Sequence, residues 1–106
     1  MTNKIAFLND GLRRTFSRGK VVMTAAVAAL PEDTLAKVLT RVQTFDEFTK
    51  DNDPHGEHDF GSFELAGERF FFKLDYYDKR MEFGSEDASD PERTTRVLTI
   101  GFMSDY

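Results

Sequence analysis

The apolar rhythm of this chain changes near residue 50, and that change constrains the fold more than any other feature. Before it, apolar residues recur three or four apart; after it, they alternate. The first spacing buries one face of a helix, and the second buries one face of a strand. Helices followed by strands within 106 residues indicate a single α+β domain, mainly helical over 1–49 with one short strand, and mainly β over 50–106. The expected architecture is an antiparallel sheet of about four strands with two main helices packed on one face.

Ile5, Leu8, Leu12 and Phe16 set out a first helix over 3–16. Gly19 is placed to end it in a left-handed conformation. Arg13, Arg14, Arg18 and Lys20 surround that end, where cations complement the helix dipole, and they read as a solvated basic patch. Residues 20–24 are β-branched and short, which predicts a strand, and Thr24 can cap a helical turn over 25–29. A second helix starts at Pro31 and shows an apolar face of Leu35, Val38, Leu39, Val42 and Phe45, with Phe48 near its end. Strands follow over 60–66 and 68–77, joined by a tight turn at Ala66-Gly67, and a last strand covers 95–103. In the long strand, Phe70, Phe72, Leu74 and Tyr76 share one face; Phe71, Lys73, Asp75 and Tyr77 share the other.

The chain has no cysteine, which excludes disulfides, Cys-ligated zinc, iron–sulfur clusters and thiol nucleophiles. A cytoplasmic setting is expected, because no apolar leader segment follows Met1 and no stretch approaches the roughly 20 apolar residues of a membrane helix. Charge is split along the chain. Residues 1–44 hold seven Lys/Arg against three Asp/Glu, a net +4, whereas residues 45–106 hold seven against sixteen, a net −9. An acidic surface repels nucleic-acid phosphates and attracts the basic proteins that hold them. Solubility alone also accounts for such a balance.

Beside the basic patch of Arg13, Arg14, Arg18 and Lys20, which could also touch phosphate or an acidic partner, two polar groups could carry chemistry. Residues 51–59 gather Asp51, Asp53, Glu57 and Asp59 with His55 and His58. Oxygen and nitrogen ligands at this density suit a divalent cation, although the spacing matches no standard metal site. The plainer reading is a tight loop, with Asp and Asn capping turns and His58 bonded to a carboxylate. The second group is Lys73 with Asp75, which point the same way on a strand, as in metal-dependent nucleases; a simple surface ion pair is the alternative. No Ser-His-Asp elbow, phosphate-binding glycine loop or dinucleotide fingerprint is present, and Gly56 and Gly61 read as turn glycines.

Taken together, Leu8-Asn9-Asp10, Phe45-Asp46-Glu47-Phe48, Asp51-Asn52-Asp53-Pro54, Glu57-His58-Asp59-Phe60-Gly61, Lys73-Leu74-Asp75-Tyr76-Tyr77-Asp78 and Thr95-Arg96-Val97-Leu98-Thr99-Ile100 resemble an uncharacterised bacterial family, domain of unknown function 3768. The resemblance implies a small single-domain protein of proteobacteria, plasmids and phages, with an accessory role often tied to mobile DNA. It departs from the family pattern at Phe72, where Trp is expected, and at His55, where an aromatic is.

Two functions fit these features. The first is an acidic binding protein of a mobile element, of anti-CRISPR or anti-restriction type, with no cofactor and no direct contact with nucleic acid or membrane. Asp46, Glu47, Asp51, Asp53, Glu57, Asp78, Glu82, Glu86, Asp87 and Asp90 would occupy a basic nucleic-acid-binding surface on a host protein. The second is a metal-dependent hydrolase. There His58 would be the general base, Asp53, His58 and Asp59 the ligands of a divalent ion, and Asp75 with Lys73 would complete the site. A helix face or sheet edge is also open to homodimerisation.

Overall fold

The computed structural model describes residues 3–106. The chain runs α1 (Lys4–Thr15), β1 (Lys20–Met23), α2 (Ala25–Ala28), α3 (Glu32–Thr44), β2 (Phe60–Leu65), β3 (Glu68–Tyr77) and β4 (Thr95–Phe102), closing with a 3-10 turn at Met103–Asp105. Each expected helix and strand is present within one or two residues of its expected ends, except that α3 stops at Thr44 rather than near Phe48, because Phe45 turns to an extended backbone.

The strands form one sheet in the order β1-β4-β3-β2. β2 with β3 and β3 with β4 are antiparallel, as expected. β1 differs: it pairs parallel to β4, Val21 beside Leu98 and Met23 beside Ile100, which makes the sheet mixed. The helices between β1 and β2 return the chain to its starting end, and two hairpin-like reversals then bring β4 alongside β1 in the same direction.

Local chemistry explains the boundaries. The Asn3 side chain accepts from the amides of Ile5 and Ala6 and starts α1. Phe16, not Gly19, takes the left-handed position that ends it, with φ 57°. Gly19 is needed for close approach instead: a Cβ there would lie 2.7 Å from the Leu12 side chain and 2.8 Å from the Arg96 carbonyl. The loop between β2 and β3 is Ala66-Gly67, both with positive φ (55° and 79°), the twist that suits a two-residue hairpin.

Strand alternation puts Phe63, Phe70, Phe72, Leu74, Leu98 and Ile100 on the face covered by helices. Leu12, Val27, Val38, Val42 and Phe45 close the core from above. The face bearing Lys73 and Asp75 is partly covered. Phe71 is buried there, stacked with Phe60 and met edge-on by Tyr106. Among the described residues, no helix is long and apolar enough to cross a membrane.

Candidate functional site

The buried stripe of α1 carries polar residues. Asn9 and Arg13 are fully buried beside Leu12. Arg13 thus departs from the solvated patch expected of it. Its guanidinium donates to the carbonyls of Val42 and Phe45 at 2.9 and 2.8 Å, to that of Gln43 at 3.3 Å, and to Asp10 at 2.9 Å. It lies over the rings of Phe48 and Phe72, which form an apolar sleeve around a charge. Burial lowers its pKa, and the bond to Asp10 opposes that shift.

Asn9 joins three parts of the chain. Its amide nitrogen donates to the Glu57 carbonyl and the Tyr76 hydroxyl, while its oxygen accepts from Arg96 Nε. Tyr76 in turn donates to the Glu57 carboxylate at 2.8 Å, and the Arg96 guanidinium lies over the Tyr76 ring. Burial pushes the Tyr76 hydroxyl far above its ordinary range, so it stays a phenol.

Asp53 folds the loop over 51–59. Its carboxylate accepts from the backbone N–H groups of Glu57 and His58, and it is only 7% exposed. Gly56 and His58 take positive φ (65° and 56°) inside that turn. The His58 ring stacks on Phe48 at 4.1 Å, nearly parallel to it, and Nδ1 sits 3.0 Å from both oxygens of Asp10. Its Nε2 lies 3.8 Å from Asp53. A histidine bonded to Asp10 and stacked on Phe48 fastens the loop to α1, matching the plainer reading of this segment.

The hydrolase constellation does not assemble. Asp53 spends its oxygens on backbone amides, and among the described residues no three His, Asp or Glu side chains are grouped to hold a metal ion. Lys73 and Asp75 pair at 3.1 Å on the sheet face away from Tyr76 and its partners, because odd and even positions of β3 point to opposite sides. They therefore cannot act together with His58.

Asp59 is nevertheless perturbed. Burial raises its pKa above the ordinary 3.8, and nearby Glu57 and Asp53 add to the rise. The folded state thus holds this proton more tightly than the unfolded chain does. The resulting stability is fully present below the ordinary value and is lost as pH rises through the raised one. Asp59→Asn is expected to raise the melting temperature at pH 7, with the gain vanishing below about pH 3.8 in a pH series of thermal melts. A constant difference at all pH values would point to packing instead.

The acids proposed for partner contact divide by exposure. Asp46, Glu47, Asp51, Glu82, Glu86 and Asp87 are exposed, whereas Glu57, Asp78 and Asp90 are half-buried. Asp53 is inside and unavailable to a partner. Asp78, Asp87 and Asp90 also cap turns, accepting backbone N–H groups of Arg80 and Glu82, Ser89, and Glu92. These turns order the long connection between β3 and β4. The Asp78 N–H donates to the Phe83 carbonyl at 2.8 Å, and Tyr77 bridges Gly84, so residues 78–84 form a closed loop. At that loop Phe83 is 71% exposed and Met81 40%, with Glu82 between them. The sequence reading missed Phe83, Asn9 and Arg96, and it placed Arg13 in solvent. Asn9 and Arg13 had a signal: they lie four and eight residues beyond Ile5, on the helix stripe that carries Leu12 and Phe16.

No curated protein and no solved structure matches the chain. The family described as Protein of unknown function (DUF3768) matches residues 23–105, and with most of its length inside that match the chain belongs to this family.

Proposed function

We propose that this protein is an acidic binding module that recognises a basic partner through the 78–92 connection. The observation that carries this is Phe83, a large apolar side chain 71% exposed on a loop closed by its own hydrogen bonds and flanked by Glu82 and Glu86. Exposed aromatics on ordered segments serve as interface anchors, because little conformational freedom is lost on docking. The surrounding carboxylates select a cationic surface and speed encounter with it. A nucleic-acid-binding channel of a host DNA-handling or defence protein presents such a surface, and an inhibitor occupying it would act in the cytoplasm as a competitor of phosphate. The charge split supports this reading, and it agrees with the plasmid and phage setting that the family resemblance implies.

The test is a tagged pull-down from cells carrying active DNA-defence systems, with mass spectrometry of the retained proteins. Stoichiometric capture of a nucleic-acid-binding subunit, released by salt, is the expected result. Phe83→Ala is expected to weaken that complex roughly thirtyfold, the effect of losing about 2 kcal/mol at an anchor. Charge reversal is best made at Glu82→Lys with Glu86→Lys, since Asp87 and Asp90 also hold turns. Undiminished capture by both folded variants would sink the assignment to this segment.

A further inference from the structure

A groove of about 740 Å³ runs between α1 and the 78–94 connection. Its lining runs against the composition of the chain. The protein has 19 acids and 14 bases, yet no carboxylate lines the groove, while Arg18, Lys79 and Arg96 do. We propose that this groove binds a phosphorylated aromatic small molecule of nucleotide size.

Arg96 is the strongest observation. It is 4% exposed, its Nε is held by Asn9 and its Nη2 by the Ala88 carbonyl, and Nη1 has no hydrogen-bond partner among the described residues. A buried guanidinium with a donor to spare on a groove wall suits an anion. Arg18 also lines the groove, from a turn. Its φ is 68°, and the following Gly19 is pressed against Leu12 and the Arg96 carbonyl, so this segment cannot move away without losing its packing. Lys79 supplies a third cation from the opposite wall.

The aromatic half of the ligand is read from α1. Phe7 lines the groove and is 66% exposed, leaving a ring face available for stacking. Gly11, one turn further along, also lines it, and a Cβ there would meet nothing within 4 Å. A glycine inside a helix costs about 1 kcal/mol relative to Ala. Packing in this chain does not require that glycine, whereas an open groove floor does. The volume falls within the roughly 300–1,000 Å³ of small-molecule sites. This inference is independent of whether the Phe83 loop recognises a partner.

Titration calorimetry at low salt tests it, with the four nucleoside 5′-monophosphates and their diphosphates as ligands. Adenosine and inorganic pyrophosphate serve as half-ligands. Saturable binding of at least one nucleotide, at least about tenfold tighter than either half-ligand, is expected. Arg18→Glu and Lys79→Glu should each weaken it about tenfold or more. Phe7→Ala should remove the preference over pyrophosphate. Gly11→Leu places a side chain on the groove side where a Cβ meets nothing within 4 Å, and it improves the helix, so it should melt no lower than the native protein while abolishing binding. The proposal is overturned by no saturable binding of any nucleotide up to about 5 mM, weaker than any ligand of metabolic concentration. Pyrophosphate binding as tight as nucleotide binding would overturn it too, as would unchanged affinity in Arg18→Glu and Gly11→Leu.

Discussion

Replacing Arg13 with Ala is expected to lower the melting temperature by about 20 °C, the consequence of losing about 3–5 kcal/mol from a domain of this size. The α3 helix ends inside the protein, and its last carbonyls need donors. Arg13 supplies them, reaching Val42, Gln43 and Phe45 from one guanidinium while Asp10 neutralises it. Truncation would strand those carbonyls, leave the Asp10 carboxylate with His58 as its remaining partner, and open a void between Phe48 and Phe72. Such a loss is a large share of the roughly 5–15 kcal/mol that holds a typical domain together. Arg13→Lys should recover less than half of it, because a single ammonium cannot reproduce the planar fork that spans several acceptors. Arg13→Met separates the contributions by keeping most of the volume while removing the donors. Thermal melts followed by circular dichroism decide the matter. A drop under about 5 °C for Arg13→Ala would mean that water satisfies the α3 carbonyls in its place.

The second large effect is expected at Gly61, where two principles give opposite signs. Valine favours strands by up to about 1 kcal/mol, so propensity predicts that Gly61→Val stabilises β2. Packing predicts the reverse. Gly61 is buried opposite Phe72, and a Cβ would meet the Phe72 ring edge, with Cζ at 2.6 Å, and Phe45 Cε1 at 2.9 Å. Neither ring can retreat, since Phe72 is fully buried and Phe45 packs against it edge-on at 5.2 Å. Overpacking of this kind costs about 1–3 kcal/mol and more when aromatic rings are trapped, so it wins. Gly61→Val should lower stability by about 3 kcal/mol in urea titrations. Adding Phe72→Leu should then cost less than it does alone, with a coupling of about 1 kcal/mol or more. Strict additivity of the two changes would show that the glycine is not there to seat the ring.

Gly61 also shows where sequence reasoning reached its limit. It reads as a turn glycine because turns are where glycine's conformational freedom is most often used. Its neighbours in space, Phe45 and Phe72, come from a helix end and another strand, and nothing local announces them. Lys73 and Asp75 give the opposite lesson. Their shared face was legible from alternation, and they do pair. Their supposed cooperation with His58 was not legible, because the side of the sheet on which a loop lies is fixed only when the helices choose a face. The role of Asp53 as a turn cap was readable from its place in a segment rich in Asn, Pro and Gly. Its burial was not, since that depends on α1 lying over the loop.

The sequence by itself determined the order of elements, the starts of the helices, the β2–β3 hairpin and the inward faces of the strands. These follow from spacings of two, three and four residues and from turn chemistry, which act within a few positions of the chain. Only the tertiary structure decided the parallel place of β1 beside β4, the burial of Asn9, Arg13 and Arg96, and the cationic groove between α1 and the 78–94 connection. The reason is distance along the chain. Arg13 meets its acceptor at Val42 across 29 residues, and Asn9 meets Arg96 across 87. A polar group can be buried only if such a partner arrives, and packing of the apolar faces is what brings the two together.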